Sequence, residues 1–286
     1  MKKPTYAYLG PKGTYSHEAA LQAVEVTGGV ESGELVECVT IPEVFELVDR
    51  GKATYGVVPI ENALEGSVNE TLDAFVFTSG AQILREFVLD IHHDLILAPH
   101  AALAGIKTVA SHPQALGQCR RWILQNLPGA TTMATTSTAE AVKHAAGDPQ
   151  TAAIGTALAA TLFGGAVAAR QIEDHYGNQT RFVLIGNTST SQRTGSDKTS
   201  LALFMKEDRP GTLLMILEEF AYAGLNLTKI QSRPTKRALG DYMFWIDIDG
   251  HANDINVKTA LDCLRLKLRE VKPLGSYPIA RPPAED

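Results

Sequence analysis

Asn178-Gln179-Thr180-Arg181-Phe182 sets a side-chain amide, a hydroxyl and a guanidinium beside one another. The apolar run Phe182-Val183-Leu184-Ile185 follows at once and reads as a buried strand. Polar groups hinged on a core strand hold a fixed position, which chemistry needs. A hydroxyl can donate to a leaving oxygen, and a planar guanidinium can take both oxygens of a carboxylate. Read by itself, the segment also fits a polar turn.

Three more polar corners follow strand-like runs. Gly10-Pro11-Lys12-Gly13-Thr14-Tyr15-Ser16 comes after Tyr6-Ala7-Tyr8-Leu9 and opens a helical pattern near His17. Its glycines allow a sharp turn, and Thr14 or Ser16 can cap the helix. The N–H groups at such a start suit a carboxylate or phosphate. The Gly-Lys-Ser/Thr ending of a nucleotide-binding loop is missing. Gly56-Val57-Val58-Pro59-Ile60-Glu61-Asn62 is an apolar strand with a polar end, where open α/β sheets place ligand contacts. Gly66-Ser67-Val68-Asn69 then opens another helix. Ser111-His112-Pro113-Gln114 starts a helix over residues 115–124 and makes a further anion-friendly corner. His92 and His93 are adjacent on a strand, so they face opposite sides and cannot chelate one ion; they read as structural.

The elements behind these corners repeat as strand, polar corner, helix, which predicts a mostly parallel sheet covered on both faces. Roughly nine strand-like runs precede residue 187, too many for one compact sheet, so two lobes with a cleft between them fit better. Residues 83–97 read as one long strand or two. Residues 188–198 are small and polar and read as a linker. Residues 199–277 run βαββαβ, a ferredoxin-like unit that usually pairs with another copy, and residues 278–286 form a tail. The chain of 286 residues carries a net charge of −6, which argues against a nucleic-acid or membrane-surface role. No apolar run spans a bilayer, and the N-terminus runs straight into a strand with no room for a signal peptide, so a cytoplasmic protein is expected. Cys38, Cys119 and Cys263 are far apart and read as reduced thiols, not a disulfide framework or zinc site.

In order and spacing the four corners resemble the motifs of the prephenate dehydratases: residues 10–17, residues 56–68, Ser111-His112-Pro113-Gln114-Ala115-Leu116, and Asn178 with Thr180-Arg181-Phe182. The C-terminal unit resembles an ACT regulatory domain. The resemblance implies a catalytic domain over residues 1–187, built as two α/β lobes like a periplasmic-type binding protein with the site in the cleft. It implies that prephenate loses its ring hydroxyl and one carboxylate, giving phenylpyruvate, water and carbon dioxide. Aromatisation drives the reaction, so no metal or organic cofactor is expected. No chorismate mutase bundle precedes residue 1, so the resemblance is to the monofunctional form.

The same resemblance implies roles. Thr180 serves the departing hydroxyl as a donor. Arg181 takes a carboxylate, or makes a structural salt bridge. Thr14 and Ser111, with the helix starts beside them, take the other carboxylate, and Ser16 is a further substrate-binding residue. Asn62, Ser67, Gln114 and Asn178 orient the substrate, Phe182 lines it, and Glu61 positions a neighbour. His17 and His112 relay protons or serve in packing and capping. L-phenylalanine is the implied effector, bound between two ACT units by Gly211, Leu213, Asn226, Leu227, Gln231, Ser232, Arg233 and Pro234, in a homodimer or homotetramer. The family usually has Glu where this chain has Gln231, which leaves the effector's identity and strength open. Two rivals stand beside this reading: a dehydratase preferring arogenate, and a non-catalytic small-molecule sensor.

Overall fold

The structure is a computed structural model that describes residues 3–28, 33–188, 191–207, 209–238 and 240–280. Residues 189–190 of the expected linker and 281–286 of the expected tail lie outside these. The first lobe is built on β1 (Thr5–Leu9), α1 (Tyr15–Val26), β2 (Glu34–Cys38), α2 (Ile41–Asp49), β3 (Tyr55–Asn62), β4 (Gly66–Ser67), α3 (Asn69–Asp73) with a π-helical turn (Ala74–Thr78), and β5 (Gln82–Asp90). The second lobe holds β6 (Asp94–Leu97), β7 (Thr108–Ser111), α4 (Pro113–Gln118), α5 (Arg120–Asn126), β8 (Thr131–Ala134), α6 (Thr138–Ala145), β9 (Thr151–Gly155), α7 (Ala157–Phe163) and β10 (Ala166–Ala169). The chain then returns to the first lobe as β11 (Gln179–Gly186).

The sheet orders are β2-β1-β3-β11-β5 and β10-β6-β9-β7-β8. Both sheets are mixed, which corrects the expectation of mostly parallel ones. β11 runs antiparallel to β3 and β5, and β6 runs antiparallel to β9 and β10. These strands arrive from the opposite lobe through short crossovers, with no covering helix to reverse the chain. The run over residues 83–97 splits into β5 and β6 at the first crossover. The two crossovers pair with each other: Ile91 N–H donates to Asn178 O, and Ile172 N–H to His93 O, both at 2.8 Å. Two lobes joined at such a hinge form the expected cleft.

The expected helix over residues 115–124 is broken at Cys119. The Asp174 carboxylate accepts from Arg121 N–H (2.9 Å) and Trp122 N–H (3.2 Å), so α5 starts afresh with its own cap.

The C-terminal unit comprises β12 (Asp197–Phe204), α8 (Thr212–Tyr222), β13 (Leu227–Pro234), β14 (Tyr242–Asp249), α9 (Ile255–Lys267) and β15 (Glu270–Pro278). Its sheet order β13-β14-β12-β15 is ferredoxin-like. Strand alternation divides its faces. Leu201, Leu203, Ile246 and Ile248 pack under α8 and α9, whereas Ala202, Phe204, Met243 and Trp245 join the core of the first lobe. The Trp245 ring meets Phe75 edge to face at 5.9 Å, and Phe75 meets Phe45 at 4.8 Å. Among the described residues no helix is long and apolar enough to cross a membrane.

β15 crosses β5 so closely at Gly275 that a Cβ there would collide with the Ile83 backbone oxygen; the residue's φ of +146° also disfavours a side chain. Gly275→Ala should therefore loosen the docked unit and cost about 2–4 kcal/mol, read as a lower Tm in thermal unfolding.

Candidate active site

A cleft of about 410 Å³ lies at the hinge, within the range of small-molecule sites. Three helix N-termini open onto it. Thr14 caps α1, with Tyr15 and Ser16 on the wall. His112 caps α4, with Gln114 and Ala115 on the wall. Ser137 caps α6, with Thr136 and Thr138 beside it. Among the described residues no lysine or arginine lines the cleft. Attraction for an anion at the wall therefore comes from N–H groups and helix dipoles.

The polar floor has a fixed direction. Asn62 Oδ1 accepts from the backbone N–H groups of Leu64 and Glu65, each at 3.0 Å. Backbone N–H groups only donate, so the other end of this amide must be Nδ2. Asn62 Nδ2 donates to Asn178 Oδ1 and to Thr180 Oγ1, each at 2.9 Å. Asn178 Nδ2 then donates to Gln118 Oε1 at 3.2 Å, and His93 Nε2–H donates to the same oxygen at 2.9 Å. Two consequences follow. Thr180 accepts from Asn62 through a lone pair, and among the described residues no acceptor takes its hydroxyl hydrogen, which can therefore serve a ligand. His93 takes the Nε2–H tautomer, and its buried Nδ1 has no partner among the described residues. Burial lowers the pKa of His93, partly offset by Gln118, Glu173 and Asp94, so the ring is held neutral.

Of the residues singled out from sequence, Thr14, Ser16, Asn62, Ser67, His112, Gln114, Asn178 and Thr180 line this cleft. The others sit elsewhere. Ser111 is fully buried and donates to Ile154 O at 2.7 Å, tying β7 to β9. Phe182 lies in the core under α1. His17 accepts from Gly13 N–H and stacks on Tyr8, a packing role. Arg181 and Glu61 point away from the cleft, because alternation along paired strands sends them to the face opposite Thr180 and Asn62. Arg181 donates to Asp247 Oδ2 and to Tyr277 OH, each at 2.7 Å. Its Nε lies 2.8 Å from Glu86 Oε2, off the N–H direction. Glu61 pairs with Lys229 at 2.8 Å. Burial opposes ionisation of Asp247, but Arg181 and hydrogen bonds from Ser200, Arg181 and Trp245 outweigh it and keep its pKa below the usual range.

In the C-terminal unit, Gly211 caps α8 in a left-handed conformation, Leu213 is exposed, and Asn226 donates to Asp249 Oδ2. Along β13, Ser232 and Pro234 are exposed, whereas Gln231 and Arg233 turn toward the first lobe and meet Ser67, Asn69 and Asp73. Sequence reading missed Gln118, Tyr15 and Thr136-Ser137-Thr138 as cleft residues, and took His93 for structural only. Ser137 and Glu140 form a capping box at the start of α6, but nothing local in the sequence shows that it faces the cleft. Among the described residues no three His, Cys, Asp or Glu side chains gather as metal ligands.

A two-lobed α/β domain with an anion-suited cleft and a docked ferredoxin-like unit defines a protein that binds a small anionic molecule. Comparison with known proteins specifies it further. The prephenate dehydratase family model matches residues 6–190, and the ACT domain model matches residues 199–262. The bifunctional chorismate mutase/prephenate dehydratase of Aquifex aeolicus is 42% identical over 279 residues, covering 98% of this chain and 75% of the relative. The prephenate dehydratase of Mycobacterium sp. (strain JLS) is 38% identical over 295 residues, covering 99% and 93%. Among solved structures, prephenate dehydratase from Arthrobacter aurescens in complex with L-Phe superposes with a TM-score of 0.88 at 38% identity, covering 96% and 90%. GqqA, described as a novel type of quorum quenching acylase, superposes with a TM-score of 0.86 at 28% identity, covering 97% and 98%. The chain belongs to the prephenate dehydratase family, whose members are hydro-lyases, and it carries an ACT regulatory domain.

Arg181→Met should leave the buried carboxylates of Asp247 and Glu86 short of a partner and cost about 3–5 kcal/mol, read by chemical denaturation. If the guanidinium is structural, the surviving folded enzyme keeps its KM for substrate.

Proposed function

We propose that the cleft binds prephenate and that Thr180 donates to its departing ring hydroxyl. At neutral pH the balance is prephenate dianion plus one proton to phenylpyruvate anion, carbon dioxide and water. The carboxylate carbon leaves as carbon dioxide, and its bonding electron pair enters the ring. The C–O bond to the hydroxyl breaks, and that oxygen gains the proton. The observation that carries this reading is the direction of the Asn62–Thr180 hydrogen bond, which commits a Thr180 lone pair and spares its hydrogen. A preorganised donor in a site that excludes water acts where charge develops on the leaving oxygen. The helix starts at Thr14, His112 and Ser137 supply N–H groups for the carboxylates. Gln114, Asn178 and Ser67 orient the substrate, and Arg181, Glu61, Ser111 and Phe182 hold the strands that carry these groups.

Prephenate is favoured over arogenate, whose side chain carries an ammonium. Glu65 is the one carboxylate among the described lining residues, and it is exposed. The ACT unit binds L-phenylalanine near Gly211, Leu213, Asn226 and the exposed face of β13, as the ligand of the Arthrobacter relative suggests. The outer edge of β13 seats a second copy of the chain. Gln231 and Arg233 act on the first lobe and not on the effector itself.

Incubation with prephenate should yield phenylpyruvate, followed by absorbance, with arogenate turned over more slowly. Thr180→Val should lower kcat by about 100- to 1000-fold with Tm unchanged; near-normal turnover would remove Thr180 from the mechanism. Calorimetry should show L-phenylalanine binding, and silence at millimolar ligand would exclude it as the effector.

A further inference from the structure

Prephenate carries two carboxylates, yet no lysine or arginine among the described residues lines the cleft. One cation stands directly behind its wall. Lys229 Nζ donates to Ser67 Oγ at 2.8 Å, and Ser67 lines the cleft. No other lysine or arginine side chain among the described residues is hydrogen-bonded to a cleft-lining side chain. Lys229 belongs to β13, a strand of the ACT unit. Its side chain is 8% exposed, and its counter-ion Glu61 lies 2.8 Å away with 37% exposure. The Ser67 hydroxyl donates its hydrogen to Gln231 Oε1 at 2.6 Å, so two residues of one regulatory strand hold it from both sides.

We infer that Lys229 is a positioning residue for the substrate, contributed by the regulatory domain and acting through Ser67. Its ammonium fixes the Ser67 oxygen and lends positive potential to a wall that otherwise has only N–H dipoles. When a substrate carboxylate arrives, the Ser67 hydroxyl turns its hydrogen from Gln231 to the carboxylate, while Lys229 keeps its bond to the oxygen. Gln231 suits this exchange. A neutral amide oxygen holds the hydroxyl less tightly than a carboxylate does, since charge-assisted hydrogen bonds are roughly twice as strong. A carboxylate at residue 231 would also cancel part of the Lys229 charge.

The inference rests on the reading of the cleft as a prephenate site, and the test separates the two. Wild-type turnover of prephenate examines that reading, whereas variants at residues 229 and 231 examine the cation. Lys229→Met should raise KM for prephenate about tenfold or more with kcat within about twofold, the scale of one charge-assisted contact. Lys229→Arg should restore KM to within about threefold, because it returns the charge. Gln231→Glu should also raise KM, since it opposes both the charge and the turn of the hydroxyl. On a Thr180→Val background, where turnover is slowed about 100- to 1000-fold, calorimetry with prephenate should show the same loss of affinity for Lys229→Met. Unchanged KM and affinity in Lys229→Met would overturn the inference. So would a fall in kcat and Tm that Lys229→Arg repairs with KM unmoved, which would make Lys229 an interface residue only. A wild-type enzyme silent on prephenate would instead sink the functional reading.

Discussion

The structure turns on two neighbouring residues of β11 that face opposite ways. Thr180 looks into the cleft, and Arg181 looks into the seam between the catalytic lobe and the ACT unit. This follows from the pleat of a strand alone. The opposing strand β3 repeats the division, with Asn62 beside Thr180 and Glu61 beside Arg181. One strand pair is therefore at once the floor of the reaction site and the wall of a domain interface. Three acidic groups, Glu61, Glu86 and Asp247, meet three basic groups, Arg181, Lys198 and Lys229, in that seam. Their charges balance, which is what permits so polar a cluster to be buried.

The floor works by a different principle, that of hydrogen-bond polarity. Two backbone N–H groups orient the Asn62 amide, and that orientation passes through Asn178 to Gln118 and His93 without a charge being involved. Amides cannot reverse roles at neutral pH. The direction of the chain is thus set by covalent structure and not by solution conditions. Among the described residues the amides of this network are paired and only His93 Nδ1 is left over, and paired groups of this kind hold one another rigidly. The broken helix α4–α5 belongs to the same design, because ending α4 at Gln118 places that side chain beside Asn178.

Much of this was legible in the sequence. The four polar corners, the two lobes and the βαββαβ unit follow from apolar runs, turn residues and caps, all local signals. The cleft positions of Thr14, Asn62 and Thr180 follow from those corners. Arg181 and Glu61 are assigned to the substrate site from sequence, although the alternation that separates His92 from His93 also separates Thr180 from Arg181 and sends them to the opposite face. Strand sense was not legible, because a crossover without a helix leaves no periodic trace. Gln118 and Ser137 stayed hidden for a related reason: their role depends on which lobe faces which, and no local pattern encodes that. The partners of Arg181 lie up to 96 residues away, beyond the reach of any motif.

The shared packing of Phe45, Phe75 and Trp245 bears on how such chains can be rearranged. In sequence the ACT unit is a detachable suffix, and its junction near residue 190 invites grafting onto another catalytic domain. In space that junction cuts no boundary. A graft would have to carry a matching indole-and-phenyl surface, a balancing set of buried charges and a glycine at the strand crossing, or both halves would present raw apolar faces to water. Inheritance of the pair as one unit is thus favoured by packing alone, whatever regulation demands.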